Sequence, residues 1–162
     1  MKKYSRVLTI AGSDSGGGAG IQADIKTISA LGAYAASAIT AITVQNTCGV
    51  TGIHPIPPSY VKGQIDAVMT DIRPTAIKIG MINDVEIVKV ISESIKTHKP
   101  EFVVFDPVMV STSGCKLIED SAIDAITSLL MPLATIITPN LSEAKVLTGK
   151  DLYTVDEMKA AG

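Results

Sequence analysis

The groups able to do chemistry in this chain sit where its apolar runs stop. The richest such point is Ile10-Ala11-Gly12-Ser13-Asp14-Ser15-Gly16-Gly17-Gly18-Ala19-Gly20. It joins the apolar run Val7–Ile10 directly to a segment in which Ile21, Ile25, Ile28 and Leu31 recur at helical spacing. Glycine at a strand-to-helix corner permits backbone conformations barred to other residues and lets a ligand approach main-chain N–H groups. Ser and Asp in the same corner are suited to capping the helix. Four more runs end in Gln45-Asn46-Thr47, Gly80-Met81, Asp106-Pro107-Val108-Met109 and Thr138-Pro139-Asn140. Each exit mixes small, polar or acidic groups with soft apolar ones, which suits a small, flat, hydrogen-bonding ligand. Two acids stay open to either reading. Asp14 is placed to cap the first helix or to touch the ligand, and Asp24, off the Ile stripe, to be solvated or to touch it.

The elements that must hold these exits alternate. Strands are predicted over Arg6–Ala11, Ser37–Gln45, Ala76–Gly80, Phe102–Asp106 and Thr135–Thr138, with β-branched residues on consecutive positions, as when both faces of a sheet are covered. Helical stripes lie between them: Val61, Ile65, Val68 and Ile72; Ile87, Val88, Ile91 and Ile95; Ile123, Ile126 and Leu130. This alternation predicts an α/β fold, a three-layer αβα sandwich around a mostly parallel sheet. Ligands of such sheets bind beyond the carboxyl ends of the strands, where the exits above lie. Gly49–Ile53 is expected to be a short edge strand or a flap. Thr154-Val155-Asp156-Glu157 has the spacing of a capping box and predicts a helix start, followed by barely two turns before Gly162. The expectation is a fragment, the N-terminal portion (1–162) of a single domain.

Composition removes other classes. The 162 residues carry a net charge of −2 and are 4% aromatic with no Trp, so neither a basic surface nor a stacking platform for nucleic acid is present. No apolar run reaches the length of a membrane span, and Lys2-Lys3 ahead of Val7–Ile10 is too short a pattern for a signal peptide, which makes the cytoplasm the expected location. Cys48 and Cys115 form no CxxC pair or disulfide framework. His54, in His54-Pro55-Ile56-Pro57-Pro58, and His98, beside Pro100, are expected as surface or loop residues, which leaves no Cys/His nucleophile or metal site.

The segments Ala11–Gly20, Gln45-Asn46-Thr47-Cys48-Gly49-Val50, Lys78-Ile79-Gly80-Met81, Asp106-Pro107-Val108-Met109-Val110 and Ile137-Thr138-Pro139-Asn140-Leu141-Ser142-Glu143-Ala144 resemble, in unbroken order to about Gly149, the hydroxymethylpyrimidine/phosphomethylpyrimidine kinases of thiamine biosynthesis, members of the ribokinase-like superfamily. The resemblance implies ATP-dependent phosphorylation of 4-amino-5-hydroxymethyl-2-methylpyrimidine and then of its monophosphate, with Mg²⁺ and ATP as cofactors and a homodimer as the assembly. It implies a pyrimidine site of Gln45, Gly12, Ala19, Met81 and Val108, with Asp24 as a further candidate. The residue types agree: a Gln amide presents a donor and an acceptor side by side, as an aminopyrimidine edge requires. Phosphoryl transfer depends on positioning and charge neutralisation, and Asp106 and Glu143 are the metal-side candidates, with Asn140 beside the phosphates. In the family a Gly-Thr-Gly-Cys segment opens a helix that forms the anion hole and carries the cysteine in the place of a base. No such segment occurs here, and Cys115, in Ser113-Gly114-Cys115-Lys116, is no substitute. The chain is therefore expected to hold the substrate pocket without a catalytic residue, and to be inactive alone. A pyridoxal kinase-like enzyme and a non-catalytic pyrimidine-binding fragment are the alternatives. A nicotinamide fold fails because Gly16-x-Gly18 is followed by Ile21 where glycine is required, and a Walker loop fails for want of Gly-Lys-Ser/Thr.

Overall fold

Strand alternation in this protein separates two unlike sheet faces. In the computed structural model, which describes residues 4–82, 84–109 and 120–161, five parallel strands are ordered β2-β1-β5-β6-β7. They are β1 (Arg6–Ala11), β2 (Tyr34–Ile39), β5 (Ala76–Ile79), β6 (Phe102–Phe105) and β7 (Ile136–Ile137). On one face Leu8, Ile10, Ile77, Ile79, Val103 and Phe105 are all at most 3% exposed. They pack against α2 (Pro58–Asp71), α3 (Val85–His98) and the helix that starts as α4 (Asp120–Ala125) and continues through a π turn to Leu130. Each such fully buried side chain contributes about 1.5–3 kcal/mol. The opposite face meets α1 (Gly20–Ala30) and is not uniformly apolar. Thr9 and Lys78, paired in register across β1 and β5, both reach Asp24 of that helix there. The parallel sheet flanked by helices is the α/β architecture expected.

Local rules account for the element ends. Pro58 opens α2 at a position that needs no N–H donor. The Asp84 carboxylate accepts from Ile87 N–H to cap α3. The Thr154–Glu157 box forms as expected, with Glu157 N–H donating to Thr154 Oγ1 and Thr154 N–H to Glu157 Oε2 ahead of α6 (Val155–Ala161). The edge strand β2 is partly covered by Gln64, whose amide pairs with both Ile39 N–H and Ile39 C=O.

Several expectations need correction. The run Ser37–Gln45 is two strands, β2 and β3 (Ala41–Asn46), because the chain leaves the sheet at Thr40. Thr40 N–H donates to Ala11 C=O and its hydroxyl to Met81 C=O, so the backbone is pinned where it turns. β3 pairs antiparallel with β4 (Gly49–Pro55), with a bulge between Val44 and Gln45. Gly49–Ile53, expected as a short strand or flap, is one arm of this hairpin, and His54 is exposed in the same strand, at the surface as expected. His98 ends α3 with its Nε2 2.7 Å from Asp66 Oδ1 of α2, a contact between helices. This hydrogen bond, with one from Lys62, holds the Asp66 carboxyl below its ordinary pKa. Leu31 falls past the last turn of α1 and is 81% exposed, so the first stripe buries only Ile21 fully. The last strand shortens to Ile136–Ile137. Val110, Cys115 and Gly162, which entered the sequence reading, lie outside the described residues.

Candidate functional site

The winding of the sheet makes the site. From β1 the chain moves outward to β2 on one side, then crosses to β5 and proceeds to β6 and β7 on the other. The carboxyl ends of β1 and β5 are therefore a topological switch point, where an open parallel sheet leaves a crevice. A cavity of about 350 Å³ lies there, lined by the exits of β1, β5 and β6 and by the hairpin.

The glycine-rich corner builds one wall, but not in the way its composition suggests. Its N–H groups are turned onto the chain's own carboxylate. Asp14, 4% exposed, accepts from Gly16 N–H at 2.8 Å through Oδ1, and from Gly18 and Ala19 N–H at 2.9 and 2.8 Å through Oδ2. Burial pushes the Asp14 carboxyl up, but the hydrogen bonds from Gly16, Ala19 and Gly18 outweigh it and hold its pKa below 3.8. The expectation that this loop offers its N–H groups to a ligand is thus corrected for Gly16, Gly18 and Ala19, because an internal anion already occupies them. Asp14 is not an N-cap residue; Ala19 has that position.

One glycine is required by the backbone, and a second makes room for a side chain. Gly20 has φ +56, and a Cβ there would lie 2.3 Å from Gly12 O, the acceptor of Ile21 N–H. A Cβ on Gly12 would lie 2.6 Å from Met81 Cε. Gly12 is what lets the Met81 side chain lie against the end of β1. Beyond β6, Val108 N–H donates to Asp106 C=O at 2.9 Å, a tight turn at Pro107 that leaves Asp106 and Val108 both lining the cavity.

The hairpin is laced to the glycine-rich corner by two serines. Ser13 N–H donates to Ala41 C=O, Thr43 N–H to Ser13 Oγ, and Gln45 N–H to Ser15 Oγ. Antiparallel register sets Thr43 opposite Ile53 and Gln45 opposite Val50, and these four residues line the cavity. Gln45 therefore reaches the site from the hairpin, not from a sheet strand, which corrects its place among the strand exits.

Among the described residues, charge in the cavity is acidic with one cation. Lys78 Nζ lies 3.2 Å from Asp24 and 3.6 Å from Asp106, and Asp24 also accepts from the Thr9 hydroxyl. Asp24 is accordingly held, with a side chain only 16% exposed, and not solvated.

Gly12, Ala19, Asp24, Gln45, Met81, Asp106 and Val108 thus line one cavity. Asn140 and Glu143 do not. They form the capping box of α5 (Leu141–Thr148): Asn140 Oδ1 accepts from Glu143 N–H, and Glu143 Oε2 from Asn140 N–H. The exit Thr138-Pro139-Asn140 follows β7 at the sheet edge, away from the switch point. Sequence reasoning assigned no site role to Lys78, Thr43, Val50 or Ile53. A lysine inside the apolar strand Ala76–Ile79 was the available signal for Lys78, whereas Val50 and Ile53 become relevant only once the hairpin folds over. Among the described residues no three His, Cys, Asp or Glu side chains gather as a metal cage. Asp106, at the rim beside Lys78 with its side chain 38% exposed, is an oxygen donor of the kind a Mg²⁺ that keeps most of its waters would use. Among them, too, no helix is long and apolar enough to cross a membrane.

Comparisons with known proteins identify the family and the fold. Residues 14–162 match the family model described as phosphomethylpyrimidine kinase. The hydroxymethylpyrimidine/phosphomethylpyrimidine kinase of Bacillus subtilis is 46% identical over 156 residues, covering 96% of this chain and 58% of that protein. A crystal structure of phosphomethylpyrimidine kinase from Clostridium difficile superposes with a TM-score of 0.92 at 51% identity, over 98% of this chain and 68% of the other. The pyridoxal kinase of Staphylococcus aureus in complex with pyridoxal superposes with a TM-score of 0.87 at 36% identity, over 99% and 60%. The chain spans about half the length of the curated kinases it matches.

Proposed function

The chain belongs to the phosphomethylpyrimidine kinase family, and on that footing we propose that the protein phosphorylates 4-amino-5-hydroxymethyl-2-methylpyrimidine and its monophosphate at the expense of ATP, in thiamine biosynthesis. The observation that carries this reading is the switch-point cavity, in which apolar Met81 and Val108 and the close backbone of Gly12 accompany the Gln45 carboxamide. A flat ring is held between the apolar groups, and Gln45 reads its aminopyrimidine edge. Gly12 and Ala19 add no bulk. Asp24 is tied to Lys78, so its role in this reading is to hold that cation in the cavity.

Mg²⁺ with ATP supplies neutralisation of charge on the transferring phosphoryl group. Asp106, at the rim of the cavity, is the carboxylate that would hold the metal. Glu143 and Asn140 serve at the start of α5, where a first-turn acid and a cap residue are favoured, and their share in nucleotide binding is indirect in this reading. No residue here is assigned as the catalytic base. We read residues 1–162 as the N-terminal portion of one kinase domain, one that binds pyrimidine and turns over little by itself, since the sequence contains no Gly-Thr-Gly-Cys segment. A cytoplasmic homodimer completes the reading. Ile42 and Val44 on the outer face of the hairpin, 42% and 63% exposed, are the apolar surface that supports it.

Pyridoxal kinase-like activity is the second reading, favoured by the 36% identity to the Staphylococcus structure. Direct competition separates the two. The expected result is that hydroxymethylpyrimidine binds the protein, pyridoxal displaces it weakly, and Gln45→Ala lowers pyrimidine affinity about tenfold. Pyridoxal binding more tightly, or an unchanged affinity in Gln45→Ala, would refute the assignment. ADP release measured with the same protein tests turnover, which is expected to be slight.

A further inference from the structure

A hydroxyl proton can be donated once, and the site asks for it twice. Thr43 Oγ1 lies 2.8 Å from Ser13 O and 3.2 Å from Gln45 Oε1. Thr43 is 6% exposed, so solvent does not arbitrate between them. Both neighbours are pure acceptors. The backbone carbonyl is the shorter contact and belongs to the lacing that fixes the hairpin, where Thr43 N–H also donates to Ser13 Oγ. With the proton on Ser13 O, Thr43 Oγ1 faces the carboxamide with a lone pair. An amide oxygen there would set acceptor against acceptor. Turning the amide by half a revolution removes the conflict, because its NH2 then donates to Thr43 Oγ1. The two ends of a carboxamide are told apart by their hydrogen-bond partners alone, and here the partner decides.

We propose that Thr43 is a positioning residue that fixes the orientation of the Gln45 carboxamide, with one N–H on Thr43 and the C=O and second N–H left for the ligand, and so sets the specificity of the pocket for a ring bearing an exocyclic amine. The inference rests on the pyrimidine reading above and deepens it. A fixed carbonyl accepts from the 4-amino group of an aminopyrimidine. It repels a 4-oxo ring, whose carbonyl is an acceptor at the same place, because a buried polar group set against its like loses its partner. A carboxamide free to rotate would accept either pattern. Discrimination thus comes from Thr43, although Gln45 is the residue that makes contact.

The test is calorimetric titration of the protein with 4-amino-5-hydroxymethyl-2-methylpyrimidine and with its 4-oxo counterpart, for wild type, Thr43→Val and Thr43→Ser. Wild type and Thr43→Ser are expected to prefer the amine by about tenfold or more. In Thr43→Val the amide is released, so the oxo compound is expected to gain about tenfold while the amine changes by less than about threefold. A gain of binding is a result that mere damage to the site does not produce. Retained discrimination in Thr43→Val, or equal weakening of both ligands, would overturn the role of Thr43 and leave the pyrimidine reading standing. If wild type binds neither compound, the pyrimidine reading itself falls, and this inference with it.

Discussion

Replacing Asp14 by asparagine isolates the interaction that gives the glycine-rich corner its shape. The carboxylate holds three N–H groups, Gly16 on one oxygen and Gly18 and Ala19 on the other. Asparagine has one oxygen. Placed to keep the Gly18 and Ala19 bonds, it turns its own NH2 onto Gly16 N–H, donor against donor. The loss is one charge-assisted bond, about 1.5–3 kcal/mol, and a weakening of two others as the charge disappears. Relief from burying a charge offsets part of this, leaving about 2 kcal/mol. For a chain of this length that is about 4–8 °C in Tm. The pH dependence follows from the direction of the shift. The folded-state pKa lies below 3.8, so the stabilisation is fully present above that value and disappears as pH falls through the folded pKa. Urea unfolding of wild type and Asp14→Asn at steps from pH 6 to pH 2 measures the difference. The expected gap is constant down to about pH 4 and closes below it. A gap that persists unchanged at pH 2, or an Asp14→Asn protein as stable as wild type, would refute the view that an internal anion organises the loop.

Three further perturbations separate folding from binding. Gly20→Ala places a Cβ in the left-handed region and against a backbone carbonyl that cannot yield, so a loss of about 2–4 kcal/mol is expected in thermal unfolding. Gly12→Ala meets only the flexible tip of Met81; its stability is expected within about 1 kcal/mol of wild type, with pyrimidine affinity reduced about tenfold and regained in Gly12→Ala with Met81→Ala. Lys78→Met removes the cation between Asp24 and Asp106 and is expected to cost about 1–3 kcal/mol in denaturant titration, with a large part recovered on adding Asp24→Asn.

The sequence alone determined the α/β class, because the 3.6-residue stripes of α2 and α3 and the β-branched runs of β1, β5 and β6 are local patterns that burial enforces directly. It also pointed to Gly12, Gln45, Met81, Asp106 and Val108, since chemistry in such a fold gathers where apolar runs end. Tertiary structure decided how those residues are used. Whether the N–H groups of Gly16, Gly18 and Ala19 point at a ligand or at Asp14 depends on backbone torsions that composition leaves open. Lys78 sits in an apolar run, and only register across the sheet reveals that Thr9, Asp24 and Lys78 meet. Thr40 breaks a continuous β-branched stretch because Ala11 C=O and Met81 C=O, far away in sequence, hold it there. That break carries Gln45 off the sheet and into a hairpin over the switch point. Local periodicity reports which face of an element is buried; which elements meet over a cavity is set by contacts between residues distant in the chain.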